Sequence, residues 1–304
     1  MVTADLLPPP PLVDERLLGA VKTLEDDACS SSSASSSDGD QDVDTDSDGP
    51  EILEGMVRPA TRRAMDDGVH PDLPHPFTLR NVRIEAPRHG EPHIDIIQTY
   101  LLISDTGGAV YDAARMMGDY LASDAMQELF AKEPVCVELG TGTGYVSIVA
   151  SSLGARRVLA TDNDASTLEL AQSNIDANAF HSKAAETRTL WWGEAQQSSA
   201  ILSELEPLCS EGTPLLVLCS DLTYPGSDLD ALGAAVKQLC RGWSKGPAQA
   251  LFSHPRRIAR RERLFFEGLA DAEASEPPLC VSRVVKFLHG ERPYYIHRAA
   301  PLQP

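Results

Sequence analysis

No stretch of this chain stays apolar for the roughly 18–20 residues that would cross a bilayer. The opening residues, Met1 to Pro10, lack a basic segment ahead of an apolar core, so a secretory leader is not expected. Cysteine is sparse. The six (Cys29, Cys136, Cys209, Cys219, Cys240 and Cys280) lie far apart, with no C-x-x-C pair and no paired histidines of the kind that hold zinc. Cys136 and Cys219 fall inside apolar, strand-like runs, where buried free thiols are common. That pattern argues against a disulfide scaffold and points to a reducing compartment, cytosol or nucleus. No internal repeat is visible, and no basic face broad enough for nucleic acid is implied.

Charge is abundant but mostly of one sign, and it is unevenly placed. Of the net −19, residues 1–72 hold 17 acidic against 5 basic residues, so the remaining 232 are only mildly acidic. Residues 24–50 are Ser- and Asp-rich and nearly free of large apolar side chains, so they cannot repay ordering entropy, and a disordered tail over 1–72 is expected. Its alternating aspartates invite a calcium-loop reading, yet the Glu at position 12 and the flanking helices are missing.

Order is expected from about Pro76. Residues 77–85 and 94–100 alternate apolar and polar as half-buried strands do, with a turn at 87–92 between them, and 110–121 has helical spacing. From 135 onward strand candidates (135–139, 156–161, 187–191, 214–220, 248–253, 279–287, 293–298) alternate with helix candidates (143–153, 164–178, 227–240, 257–271). This predicts an α/β fold with a doubly wound, mostly parallel seven-strand sheet, closed by an antiparallel hairpin around His289–Arg292.

The most informative run is Val135-Cys-Val-Glu138-Leu-Gly140-Thr141-Gly142-Thr-Gly144: a strand ending in an acid, three glycines at alternate positions, then an apolar helix. Glycines allow a tight turn and a close approach of bare backbone to a ligand. A dinucleotide fingerprint needs its third glycine one residue later, where Tyr145 stands, and Glu138 is ill placed for a pyrophosphate. A nucleoside carrying an amino acid suits the turn better, and the turn resembles the S-adenosylmethionine loop of class I methyltransferases.

Asp162, at the end of the second strand, lies 18 residues beyond Gly144, where an acid can accept both ribose hydroxyls; Asp164 fits the cap of the next helix better. Trp191-Trp192-Gly193 closes the third strand-like run and offers either an adenine-stacking ring or a core residue. The fourth strand runs through Ser220 into Asp221-Leu-Thr-Tyr224. There a carboxylate can orient an incoming ammonium beside an aromatic wall, or simply serve the turn before Pro225-Gly226. The arginines of His254-Pro-Arg256-Arg257-Ile-Ala-Arg260-Arg261-Glu-Arg263 are expected on a solvated helix surface, or docked on an acidic protein.

Taken together, Val110-Tyr111-Asp112-Ala-Ala, Glu138 to Gly144, Asp162, Trp192-Gly193 and Asp221-x-x-Tyr224 resemble the seven-strand protein lysine methyltransferases of methyltransferase family 16, over roughly residues 105–300. The resemblance implies a methyltransferase domain over 73–304 with an N-terminal hairpin and helix (76–122). It implies S-adenosylmethionine as cofactor, held by Tyr111, Glu138, Gly140, Thr141, Gly142, Gly144, Asp162, Asn163, Trp192 and Ser220. Asp221 and Tyr224 would line a lysine channel as the catalytic pair, and the partner would be a soluble protein substrate met by a monomer, without metal. Two positions depart from the family's habit: Tyr111 stands where Trp is usual, and Ser220 where Ala is common. A nucleic-acid amino-methyltransferase would show Pro-Pro inside the Asp-to-aromatic stretch, which is absent. A small-molecule methyltransferase and a non-catalytic binding protein remain the alternatives.

Overall fold

A computed structural model describes residues 79–85, 93–99, 107–271, 278–289 and 292–302. The acidic tail, the onset of order at Pro76, the turn at 87–92 and the tip of the last hairpin lie outside the described residues.

An antiparallel pair comes first, β1 (Leu79–Glu85) with β2 (His93–Thr99). Helix α1 (Asp112–Ala122) follows and buries Ala113, Met116, Met117 and Leu121. A 3-10 turn at Asp124–Met126 and the short α2 (Gln127–Phe130) lead into the sheet.

The main sheet is built from β3 (Val135–Leu139), β4 (Arg157–Asp162), β5 (Ala185–Thr189), β6 (Leu215–Ser220), β7 (Ala248–Pro255), β8 (Leu279–His289) and β9 (Arg292–Pro301), in the order β5-β4-β3-β6-β7-β9-β8. The first five run parallel, while β9 lies antiparallel between β7 and β8. Five helices connect them: α3 (Tyr145–Ser152), α4 (Ala165–Ala177), α5 (Ala195–Leu205), α6 (Leu229–Gly242) and α7 (Ala259–Ala270). The doubly wound sheet with its antiparallel close is therefore the architecture that the alternating pattern predicted.

Burial follows the strand period of two. On β3, Cys136 faces a core shared with α1 and α3, while Val135, Val137 and Leu139 face a second core shared with α5, α6 and α7. All five β3 residues are buried, which is why the run does not alternate apolar with polar and Glu138 is its one polar side chain. Burying each Val or Leu there contributes about 1.5–3 kcal/mol.

Strand order reverses around β3, whose neighbours β4 and β6 lead to opposite halves of the sheet. The crevice at the carboxyl ends of β3, β4 and β6 is where ligands sit in such sheets. Asn174 of α4 and Asn178, which caps that helix's C-terminus, fasten the separate β1–β2 pair beside that crevice. The Asn174 side chain accepts from Ile97 N (2.7 Å) and donates to Ile97 O (3.0 Å) and to Thr143 O (2.9 Å). Asn178 does the same for Asp95, accepting from its N (3.0 Å) and donating to its O (2.8 Å).

Helix α5 has no counterpart in the sequence pattern. Its inward face is Ser198, Ile201, Leu202 and Leu205, and the buried serine interrupts the apolar spacing that would announce it. The strand expected at 187–191 lies at 185–189 instead. β5 is an edge strand whose residues are none of them buried, so burial does not fix its register in the sequence. Both tryptophans consequently sit beyond the strand, in the loop that follows.

Candidate active site

The glycine turn leaves β3 with Gly140, Gly142 and Gly144 all in the left-handed region, at φ +60°, +54° and +80°. Each has a different reason to lack a side chain. A Cβ on Gly140 would press on Leu222 Cδ2 at 2.6 Å, and one on Gly142 would meet the Gly107 carbonyl at 3.1 Å. Gly144 stands off the cavity wall: it is the N-cap of α3, and a Cβ there would meet Ala171 of α4. What constrains it in this structure is the packing of α3 on α4.

Glu138 ties the turn together from below. Its Oε2 accepts from Thr141 Oγ1 (2.7 Å), Ser147 N (3.1 Å) and Ser147 Oγ (2.6 Å). The residue is 1 % exposed. Burial pushes its pKa up to about 7 against the pull of these hydrogen bonds, so it is poised to change charge near neutrality.

Asp162 closes β4 beside the turn. Oδ2 accepts from Gly142 N (3.4 Å), and Oδ1 from Asn163 N (2.9 Å) and Asp164 N (3.2 Å). Burial raises its pKa from the ordinary value against those amide bonds. Asp164 is the cap of α4, accepting from Thr167 N at 2.7 Å, which leaves Asp162 to face the crevice. Leu190, the half-exposed Trp191 and Trp192 line the same hollow, with Trp192 packed against the second core.

Beyond β6 the chain turns sharply. Asp221 donates its N–H to Ser253 O (2.8 Å), extending the β6–β7 ladder by one residue, and takes φ +61°. Among non-glycine residues, Asp and Asn are the ones that adopt that conformation most readily, in turns. The Asp221 carboxylate is paired to Arg257 through both oxygens: Arg257 Nη1 donates to Oδ1 and Nη2 to Oδ2, the latter at 2.8 Å. Arg257 is thus not a solvated surface residue, as the arginine-rich pattern suggested. It comes from the loop after β7, adjacent to β6 in the sheet, and turns inward; that position directly past a strand end was the available signal. Burial opposes its charge, but the hydrogen bonds and attraction of Asp221 prevail and hold its pKa above the ordinary value.

The hollow has a volume of about 600 Å³, within the range of small-molecule sites. Tyr111, Glu138, Gly140, Thr141, Gly142, Asp162, Asn163, Trp192, Ser220, Asp221 and Tyr224 all line it; sequence reasoning did not single out Gly107, Tyr145, Leu222 or Arg257, which line it too. Among the described lining residues the carboxylates are Glu138, Asp162, Asp221 and Asp228, against one cation, Arg257. Such a wall repels a pyrophosphate and suits a ligand with positive groups. The residues therefore fit S-adenosylmethionine, with its ammonium, its sulfonium and its phosphate-free nucleoside.

Close by, the Tyr294 hydroxyl donates to Asp112 Oδ2 at 3.4 Å, and His289 Nε2 lies 3.7 Å from the same oxygen. Burial and the neighbouring Asp112 push the Tyr294 phenol up to about 12. Among the described residues, no three His, Cys, Asp or Glu side chains gather as a metal site, and no helix is long and apolar enough to cross a membrane.

Comparison with known proteins finds both sequences and solved structures similar to this chain. A protein lysine N-methyltransferase (EFM3) of Chaetomium thermophilum is 31% identical over 155 residues, covering 49% of this chain and 44% of that protein. Human methyltransferase-like protein 22 is 34% identical over 115 residues, covering 36% and 27%. The chain thus spans less than half the length of these curated relatives. An O-methyltransferase from Bacillus cereus, solved with S-adenosylhomocysteine, superposes with a TM-score of 0.36 at 16% identity, covering 66% of this chain and 95% of that one. The lysine methyltransferase family model matches residues 91–272, more than half of the chain and the whole of the glycine turn, Asp162 and the Asp221 loop, and to that family the chain belongs.

Proposed function

We propose that the chain transfers a methyl group from S-adenosylmethionine to a lysine side chain of a protein. The observation that carries this reading is a single hollow joining a phosphate-averse glycine turn to a recessed carboxylate and tyrosine at the adjacent strand end. When bound, S-adenosylmethionine supplies an electrophilic methyl on a sulfonium.

The chain's own residues divide the remaining work. Bare backbone at Gly140 and Gly142, with Thr141, lets the methionine end lie against the turn. Glu138 at its base, titrating near neutrality, receives the ammonium. Asp162 holds the ribose hydroxyls, with Asn163 alongside, and Trp192 covers the adenine. Tyr111, at the extended N-cap position of α1, walls the methyl end with Ser220. Asp221 and Tyr224 hold the target nitrogen, by hydrogen bond and by ring face, so that its lone pair points at the methyl. Alignment of this kind supplies most of the acceleration that such a displacement needs. The five described cysteines are free, which supports work in a reducing compartment, cytosol or nucleus.

The test is transfer of tritiated methyl from S-adenosylmethionine into an extract of cells lacking this protein, comparing wild type with Asp221→Ala. A discrete protein band whose hydrolysate carries label on methyl-lysine, lost with the variant while affinity for S-adenosylhomocysteine is kept, supports the reading. Label confined to small molecules or RNA overturns the substrate class. Loss of cofactor affinity in Asp221→Ala overturns the assignment of Asp221 to the lysine side.

A further inference from the structure

If the acceptor is a lysine, a premise on which this inference rests, the Asp221–Arg257 pair raises a chemical difficulty. A lone recessed carboxylate binds ammonium well, and that holds the proton on a nitrogen whose lone pair must react. A carboxylate already matched to a guanidinium keeps free lone pairs to accept an N–H but offers little net charge. We propose that Arg257 is a positioning residue of the methyl-transfer site, neutralising Asp221 so that the target lysine is received as the free amine, and holding Asp221 in its left-handed turn.

Both parts rest on geometry. The pair is bidentate, and the two side chains are only 21% and 11% exposed. Asp221 at φ +61° is held at its side chain by the fork of Arg257 and at its backbone N–H by Ser253 O. Arg257 is itself anchored. Its N–H donates to Glu262 Oε1 at 2.7 Å, and the Arg256 N–H beside it donates to Pro293 O of β9 at 2.9 Å. With the amine held this way, its lone pair forms the new N–C bond as the S–C bond breaks. The electron pair of that bond stays on sulfur, and the product ammonium releases its proton to water.

The ionisable groups around the pair are Tyr224 on its own turn, His254 of β7, Glu262 of α7, Tyr294 of β9 and, through Tyr294, Asp112 of α1 with His289 of β8. Burial holds His254 below its ordinary value, and Tyr294 is pushed up to about 12. His297 of β9 lies 3.0 Å from His254, and burial pushes its pKa down to about 3; His289→Gln serves as the control for the imidazole beside Asp112.

The experiment measures initial rates of tritium transfer from S-adenosylmethionine into the methyl-lysine fraction of the same extract, between pH 6 and 10. The full chain is used as wild type, Arg257→Gln, Arg257→Lys and His289→Gln, with S-adenosylhomocysteine affinity measured calorimetrically for each. Arg257→Gln is expected to move the rate profile about one pH unit alkaline, so that the rate at pH 7 falls about tenfold and recovers above pH 9. KM at neutral pH should fall together with kcat. Arg257→Lys, which keeps the charge and loses the fork, should keep the wild-type profile position at a lower rate, and His289→Gln should leave it in place. A rate equally low at every pH in both Arg257 variants assigns Arg257 to loop support alone and overturns the proposal, as does a Gln profile that superimposes on wild type. Wild type placing no label on lysine overturns the underlying reading and this inference with it, an outcome separate from the other two.

Discussion

Replacing Glu138 with Gln tests the chemistry at the base of the glycine turn without disturbing its shape. Gln keeps an oxygen to accept from Thr141 and from both groups of Ser147, and removes only the charge. In the folded chain the carboxyl is raised from 4.5 to about 7 by burial. A raised carboxyl means that the folded state binds more protons than the unfolded chain between those values. The associated stability is therefore fully present below pH 4.5 and is lost as pH rises through 7. Between pH 5.5 and 8.5, clear of the pI near 4.7, that loss amounts to about 2 kcal/mol. Urea unfolding of both proteins across this window should show wild type losing about 2 kcal/mol relative to Glu138→Gln. Saturating S-adenosylhomocysteine should flatten the wild-type slope, because the ligand's ammonium stabilises the ionised form. Parallel stability curves for the two proteins without ligand would refute the argument that burial dominates at Glu138. A slope unchanged by ligand would remove Glu138 from the cofactor's ammonium.

Gly142→Val should abolish calorimetric binding of S-adenosylhomocysteine, since a β-branched residue at φ +54° is strained and its Cβ would crowd the Gly107 carbonyl; retained affinity would show that this backbone does not approach the ligand. Asn174→Ala should lower urea stability by about 3 kcal/mol, because it strands the buried backbone partners at Ile97 and Thr143, and a change under about 0.5 kcal/mol would show that water replaces the amide.

The part of the site built from main chain was the part most legible in sequence. Gly140 and Gly142 advertise a turn that only glycine can make, and Asp162 comes at the distance that one helix and one strand impose. Asp221 was legible by its place at a strand end. Its partner was not, because an arginine read in a run of arginines looks like solvated surface. Only the β6–β7 pairing brings Arg257 against Asp221, from 36 residues away. Gly144 is constrained by a different neighbour. It shares the pattern of its neighbours, yet its constraint is Ala171 on the next helix, a contact that no local spacing encodes. Helix α5 escaped for the ordinary reason that a buried serine breaks the apolar period.

The insertion of β9 between β7 and β8 also has a consequence for synthesis. The strands that carry the glycine turn and end at Ser220 are all translated well before β9. Until β9 arrives, the outer edge of β7 presents unpaired amides and carbonyls, and β8 has no neighbour to join. Pro293, which takes the Arg256 N–H, and Tyr294, which meets Asp112, both belong to that late strand. The contacts of Pro293 and Tyr294 are thus among the last that can form, and until then the open edge of β7 is the segment most in need of shelter from neighbouring chains.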